Sequence, residues 1–463
     1  MGNSERSLWR HRDFRYVWAG DTVSVFGMQL VGLAIPIMAV QLLNATPFEM
    51  GLLGALEMLA FLLISLPAGA WVDRWRKKRV LIIGDLSRAA VLLLLPLAWA
   101  FDVLAMWQVY AVATAAGAIT VFFDVANQSY LPEIVDNDQI ADGNGKLSAS
   151  QQVAGVVGPA AGAGLIRAIG SPLAIAVTSV CMAASSLLVS RIKHEETPAP
   201  REDRRPMRHE VAEGMSFVLR HPLLVRITAC TGTSNFASNV VFALFVLYVL
   251  RTLDLAETTL GLVFSVSAVG GLLGAVSAAR FARLVGEGRS IPIAAGLIPL
   301  AAASTPLASV LPPVPTLFVG GFISSWAIVV YNVVQVSFRQ RLCPKPLLGR
   351  MNASIRFLVW GPIPLGALTG GILGSWIGVV PTLWVGVVLM GFAALPVVIS
   401  PLITMGDLPR ELDALADEDH GDPDDDDPDE GPDDPDKDDP DEASDDPDED
   451  RDDPDRDTNA SPS

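Results

Sequence analysis

PTLWVGVVLMGFAALPVVI, residues 381–399, runs for nineteen residues without one charged side chain. A helix on the surface of a soluble protein carries a polar stripe. This one would be apolar all round, which places it in lipid or deep in a large core. At 1.5 Å per residue it spans about 28 Å, close to the hydrocarbon thickness of a bilayer. AAVLLLLPLAWA, residues 89–100, has the same character, and 51% of the 463 residues are hydrophobic. Working outward gives twelve such segments, at 15–43, 48–71, 79–100, 104–129, 147–168, 171–191, 223–250, 258–283, 290–311, 315–338, 351–377 and 381–403. Twelve in one chain leave the bilayer as the only solvent, so the expected fold is an all-α integral membrane protein with twelve transmembrane helices.

The connecting loops alternate in charge. RSLWRHRDFR, DRWRKKR, RIKHEETPAPREDRRPMRH, ARFARLVGEGR and RQRLCPKPLLGR are basic, whereas NATPFE, AFDV, RAIGS, RTLDLAE, LPPVP and WIGVVP carry only Arg167 and Arg251. The loop 130–146 departs from this alternation, with Lys146 alone. Lysine and arginine collect on the cytoplasmic side, so both termini are expected inside.

The net charge of −18 originates in the tail. Residues 411–463 hold 28 acids and 3 bases, and residues 1–410 carry a net +7. The tail repeats a DP-acid unit, repels itself and has almost nothing to bury, so a disordered, solvating segment is expected from 406 to 463. Cys181 and Cys230 fall in spans and Cys343 in an inside loop, a placement that argues against a disulfide framework. Five histidines form no ligand cluster, and phosphate-loop and nucleophile-elbow motifs are absent from the sequence. No cofactor, metal, nucleic-acid partner or enzymatic activity is expected.

The longest internal loop separates six spans from six. The expected domains are an N-terminal six-helix bundle at 1–191, a cytoplasmic linker at 192–222, a C-terminal bundle at 223–405 and the tail at 406–463. Transporters built from two halves carry internal repeats. Here FDVANQSY (123–130) matches YNVVQVSF (331–338) at an offset of 208, and LSAS with the Gly-Pro at 158–159 mirrors MNAS with the Gly-Pro at 361–362. Spans 4 and 5 are thus related to spans 10 and 11, and the resemblance carried by the next two motifs implies two pseudo-symmetric six-helix bundles.

Two further stretches resemble a known family. GAWVDRWRKKR, residues 69–79, resembles the major facilitator superfamily's loop motif G-x-x-x-D-R-x-G-R-[RK]: Gly69, Asp73, Arg74, Lys77 and Lys78 match in place or in charge, and Arg76 replaces the second glycine. GVVGPAAGAG, residues 155–164, resembles the antiporter-associated motif G-x-x-x-G-P-x-x-G-G through Gly158, Pro159 and Gly162, with Ala163 for the final glycine and Gly155 one residue out of register. The order LPAGAWVDR, DLSRA, VFFDVANQSYLPEIV, GPAAGAG is most similar to prokaryotic drug and siderophore exporters of this superfamily. The resemblance covers about residues 10–405. It implies a prokaryotic cytoplasmic (inner) membrane protein with a central cavity that rocks between inward-open and outward-open states. It further implies that Asp124 pairs with Arg74 or Lys77, and that Asp73 caps span 11, as a cytoplasmic gate. Spans 1, 4, 7 and 10 would line the cavity, presenting Gln29, Asn235, Asn239, Trp326 and Gln335 to substrate.

The acids within spans need explaining, because a charge at the bilayer centre costs about 2.5–3.5 kcal/mol on insertion scales. They are Asp21, Glu57, Asp85 and Asp124. Glu57 is the deepest, roughly 14 Å from the outer end of span 2. Desolvation disfavours the charged form of a carboxyl, the chemistry that proton coupling requires. Arg88 could hold Glu57 ionised, or pair with Asp85 three residues earlier on its own helix. Asp21 could face the cavity or bond Thr22 and Ser24 beside it. Asp124, about 30 Å down its span, lies level with the basic loop rather than with substrate. Shifting 69–78 by 205 gives GAVSAARFAR (274–283), where Asp73, Arg74 and Lys77 become alanines, while Asp124 becomes Asn332 in the twin stretch. Those charges disappear together, as an interacting set should.

The expected function is export of small, largely hydrophobic compounds by proton antiport, with Glu57 and Asp21 as proton carriers and the protein acting as a monomer. An importer or uniporter on the same scaffold is the alternative transport reading, and a membrane sensor with the tail as effector is the alternative class.

Overall fold

The computed structural model describes residues 8–72, 75–136, 139–194, 215–216, 218–343 and 348–405. The centre of the linker and the acidic tail lie outside the described residues, so the expectations placed on them are not met with structure. Among the described residues, twelve helices are long and apolar enough to cross a membrane. In the first half they are α1 (Arg12–Gln41), α2 (Pro47–Val72), α3 (Lys77–Ala100), α4 (Met106–Ile134), α5 (Ile140–Ile169) and α6 (Ser171–Ser190). The second half holds α7 (Pro222–Leu247, extended by a π turn over Tyr248–Thr252), α8 (Glu257–Val285) and α9 (Glu287–Ala302, followed by the turn Ser304–Leu307). It continues with α10 (Pro313–Leu342), α11 (Leu348–Trp360 and Pro362–Trp376, broken at Gly361) and α12 (Val379–Val398). In hydrocarbon every backbone group needs an internal partner, which is why the chain is helical wherever it is apolar.

The predicted spans agree with these helices within a few residues, except at the fourth connection. The stretch 130–146 is mostly helix: α4 runs on to Ile134 and α5 begins at Ile140. Asp142 and Lys146 form an ion pair four residues apart on this extension, the spacing that supports a helix in water.

Helix contacts repeat between the halves. In the first, α1 packs on α5 and α6, α2 on α4, and α3 on α4 and α6; in the second, α7 packs on α11 and α12, α8 on α10, and α9 on α10 and α12. Pairs across the halves obey the same two-fold rule, α2 with α11 and α5 with α8. The matched stretches bury matched positions: Phe123, Ala126 and Tyr130 are buried, as are Tyr331, Val334 and Phe338, while Asp124 and Asn332 are both exposed. Turns at the end away from the basic loops use left-handed residues at equivalent places, Asn44 with Asp254 and Gly170 with Gly378. One symmetric contact has its charges reversed. Lys77 at the start of α3 pairs with Glu133 at the end of α4, whereas Glu287 at the start of α9 pairs with Arg341 at the end of α10 (2.6 Å).

At that non-basic end the halves touch backbone to backbone. A Cβ on Gly51 of α2 would lie 2.6 Å from the Ala367 carbonyl and from the Gly371 Cα of α11. A Cβ on Gly261 of α8 would strike Ala163 and lie 2.5 Å from the Pro159 carbonyl of α5. Arg251 closes the same end by donating to the Ala45 and Val40 carbonyls at 2.7 and 2.6 Å. The structure is therefore sealed at the end opposite the basic loops.

The first helix of each half starts on a histidine cap. His11 Nδ1 accepts from the Phe14 amide (3.2 Å) and His221 Nδ1 from the Leu224 amide (3.3 Å). Burial holds the His221 imidazole below its usual titration range, so its neutral, accepting form is favoured in the fold. The unfolded chain binds that proton more readily, so the stability from this cap is present above a pH of about 6.5 and is lost as pH falls through the folded value. Asparagine caps without titrating. Thermal unfolding of the purified His221→Asn variant between pH 7.5 and 5 should show a smaller acid-induced fall in Tm than the unsubstituted protein; an equal fall would remove this role.

Candidate functional site

Helices α1, α3 and α4 meet on a buried cluster of charges. Asp21 lies nine residues into α1, Arg88 eleven into α3 and Asp124 ten before the end of α4, so each sits about 15 Å from the basic end. Asp85 and Arg88, 0% and 1% exposed, form an ion pair one turn apart on α3. Ser24 of α1 joins them, donating to Asp85 Oδ1 at 3.4 Å and accepting from Arg88 Nη2 at 3.3 Å. The guanidinium carbon stands 3.9 Å over the Phe123 ring, whose electron-rich face shields the charge. Asp21, 4% exposed, accepts from Asn127 Nδ2 at 2.7 Å through Oδ1. Its other oxygen and Arg88 Nε have no hydrogen-bond partner among the described residues. Asp85 is thus the acid paired with Arg88, and Asp21 lies within electrostatic reach of that pair without joining it. Asp124, exposed on α4, lies within electrostatic reach of Arg88, Asp21 and, from the other half, Arg356 of α11.

This geometry decides between the readings left open for Arg88: its partner is Asp85, not Glu57. Glu57 is half-buried on α2 and has no ion-pair or hydrogen-bond partner among the described residues. Lys77 has other partners in this structure. It bonds Glu133 and the Ser129 carbonyl (3.2 Å) rather than Asp124. The reason is length: α4 continues past the predicted end of its span, so the carboxyl level with Lys77 is Glu133, more than two turns beyond Asp124. Asp73 and Arg74 lie outside the described residues.

The antiporter-like stretch forms a two-sided packing surface on α5. On one side Gly158 admits Gln29 of α1, whose Cβ lies 2.8 Å from where a side chain would start; Gly155 faces the Gln29 amide and Gly162 faces Leu30. On the other side Pro159 and Ala163 abut Gly261, and Ser265 of α8 accepts from the Ala160 amide at 3.1 Å. Gln29 therefore packs α1 on α5.

The remaining cavity candidates divide. Asn235 donates to the Val359 carbonyl (2.8 Å), tying α7 to α11, and Asn239 to the Asn235 carbonyl (2.9 Å). Trp326 donates to Ser277 (3.0 Å) and packs edge-on against Phe281. Gln335 is 3% exposed and bonds Asn332 (3.4 Å), so in this state it is a packing group of α10 and not part of an open cavity wall. The residues that sequence reasoning missed are Asn127, Phe123 and Arg356. The first two stood in the matched stretch itself, where an amide one turn after an acid signals a partner on another helix.

Comparison with known proteins follows the fold. The profile described as Major Facilitator Superfamily matches residues 17–293. The multidrug efflux pump Tap of Mycolicibacterium fortuitum is 29% identical over 72% of this chain and 82% of its own length. The enterobactin exporter EntS of Salmonella typhi is 21% identical over 87% of this chain and 94% of its own. Among solved structures, a bacterial homologue of the iron transporter ferroportin in an inward-facing state superposes with a TM-score of 0.68 at 15% identity, covering 85% of this chain and 99% of that one.

Removing one partner of a buried ion pair leaves the other desolvated, which costs about 3–5 kcal/mol, whereas apolar replacement of both is close to neutral. Arg88→Met should lower the unfolding free energy of the purified protein by about that amount, and Arg88→Met with Asp85→Leu should recover most of it. Equal losses in the single and double variants would show that Arg88 neutralises Asp21 rather than Asp85.

Proposed function

The chain belongs to the major facilitator superfamily, and from that premise we propose that it exports small, largely hydrophobic compounds from a prokaryotic cytoplasm in exchange for protons. The positive-inside rule puts the basic end and both termini in the cytoplasm. The sealed non-basic end then makes this an inward-facing state, ready to take substrate from inside. The efflux pumps and siderophore exporter it resembles support the direction.

One observation carries the coupling reading: Asp21 is buried on α1 with Asn127 of α4 as its hydrogen-bond partner, while the nearby Arg88 of α3 is paired with Asp85. With Asp85 and Arg88 compensating each other, Asp21 is the group that can hold a transported proton and release it when α1 moves against α4. Glu57, with no ion-pair partner among the described residues, remains a second carrier. In inside-out vesicles, Asp21→Asn should abolish uphill, proton-driven transport while leaving downhill substrate exchange within about two-fold. Undiminished uphill transport would remove Asp21 and leave Glu57→Gln as the variant to examine. Substrate moving inward would replace export with import on the same scaffold.

The cytoplasmic gate is assigned to Asp73, Arg74, Lys77 and Asp124, with Arg356 added from the second bundle. Asp124 and Arg356 approach from opposite bundles, so their attraction favours closing the cytoplasmic cleft. Asp124→Asn and Arg356→Gln should each lower turnover without weakening substrate binding. The double variant should be no slower than the worse single one, and additive losses would argue that the two act separately.

A further inference from the structure

The four bases that open α3 do different things. Lys77 bonds Glu133 and the Ser129 carbonyl, and Lys78 donates to the Ile192 carbonyl at 2.5 Å. Arg76 and Arg79 are exposed and have no carboxylate partner among the described residues. Both line a groove of about 650 Å³ between α3 and α4, whose apolar wall is Trp75, Val80, Ile83, Ile119 and Phe122. The groove lies on the lipid side of the first bundle: α3 packs against α4 and α6 of its own half, and Ile83 and Trp75 are 62% and 52% exposed. Trp71 stacks on Phe122 at 6.0 Å with the rings 7° from parallel, and Trp75 flanks the same ring. Indoles gather where hydrocarbon meets water, so the two guanidiniums stand at headgroup level on the basic face.

We propose that this groove binds one anionic phospholipid of the inner leaflet, its phosphate on Arg76 and Arg79 and an acyl chain along Ile83, Ile119 and Phe122. Guanidinium forks fit phosphate oxygens, and the cytoplasmic leaflet is where anionic lipids attract basic segments. The most acidic stretch of the tail matches the charge but not the wall, since GDPDDDDPDEGPDDPDKDDP (421–440) offers no large apolar side chain to fill it and the tail's leucines, Leu408, Leu412 and Leu415, all precede it. The site also accounts for Arg76, which stands where the superfamily's loop motif has glycine: in this chain the position supplies half of the anion grip.

The full chain in phosphatidylcholine vesicles, with trace spin-labelled phosphatidylglycerol or phosphatidylcholine, tests this by the fraction of motionally restricted label. Label in both leaflets makes the result independent of orientation and of proton coupling. The wild type should retain phosphatidylglycerol over phosphatidylcholine on the order of ten-fold. Arg76→Gln with Arg79→Gln should abolish that preference, and Ile83→Trp, which fills the groove and leaves both charges, should weaken it several-fold. Equal retention of the two lipids by the wild type would overturn the proposal. So would a preference untouched by either variant, or one lost equally in Arg280→Gln with Arg283→Gln, which removes bases from the twin loop. A preference that emerges only after residues 406–463 are deleted would assign the groove to the tail instead.

Discussion

Arg88 is the constraint on which the first bundle depends. A guanidinium 1% exposed within the membrane-spanning part of a chain is tolerable only if its surroundings supply charge, donors' counterparts and a polarisable face at once. Asp85 supplies the first, Ser24 the second and Phe123 the third, and they come from three different helices. Helices α1, α3 and α4 are thereby fixed in depth as well as in contact, because shifting any of them by one turn would strand the charge. The same requirement places Asp21 within electrostatic reach of a cation already matched to another acid, and the proposed proton coupling rests on that arrangement.

What the sequence made legible was whatever depends on one helix at a time. Uncharged runs such as 381–399 specify helices, loop charge separates the two ends, and FDVANQSY with YNVVQVSF specifies the two-fold relation that the buried and exposed positions then display. Lateral orientation was not legible. A segment apolar all round has no preferred face in its own composition, so nothing in span 4 says that Asn127 turns toward Asp21 on α1 or that Phe123 turns toward Arg88. The Lys77–Glu133 pair was not legible for a related reason: α4 outlasts its apolar run, and the polar residues beyond it read as loop although they continue the helix to Glu133 and Ile134.

The two halves keep their geometry more faithfully than their chemistry. At the basic end, the start of the third helix of each half meets the end of the fourth through one ion pair, and the signs are exchanged between halves. Glu287 at a helix start and Arg341 at a helix end sit favourably with the helix dipoles, whereas Lys77 and Glu133 sit against them. Lys77 compensates with a bond to the Ser129 carbonyl at the exposed end of α4. The first half thus gathers its free cationic charge along the start of α3, where Arg76 and Arg79 face outward.

The glycine seam between Gly51 and Gly371, repeated in kind where Gly261 meets Pro159 and Ala163, joins the halves through main chain and methyl groups. Separating such a seam wets peptide groups more than apolar side chains. Polar exposure lowers heat capacity and apolar exposure raises it, so the peptide groups of this seam offset part of the change that apolar side chains bring. Where opening separates this seam, the van't Hoff line should therefore curve less than it would if large apolar side chains alone joined the halves.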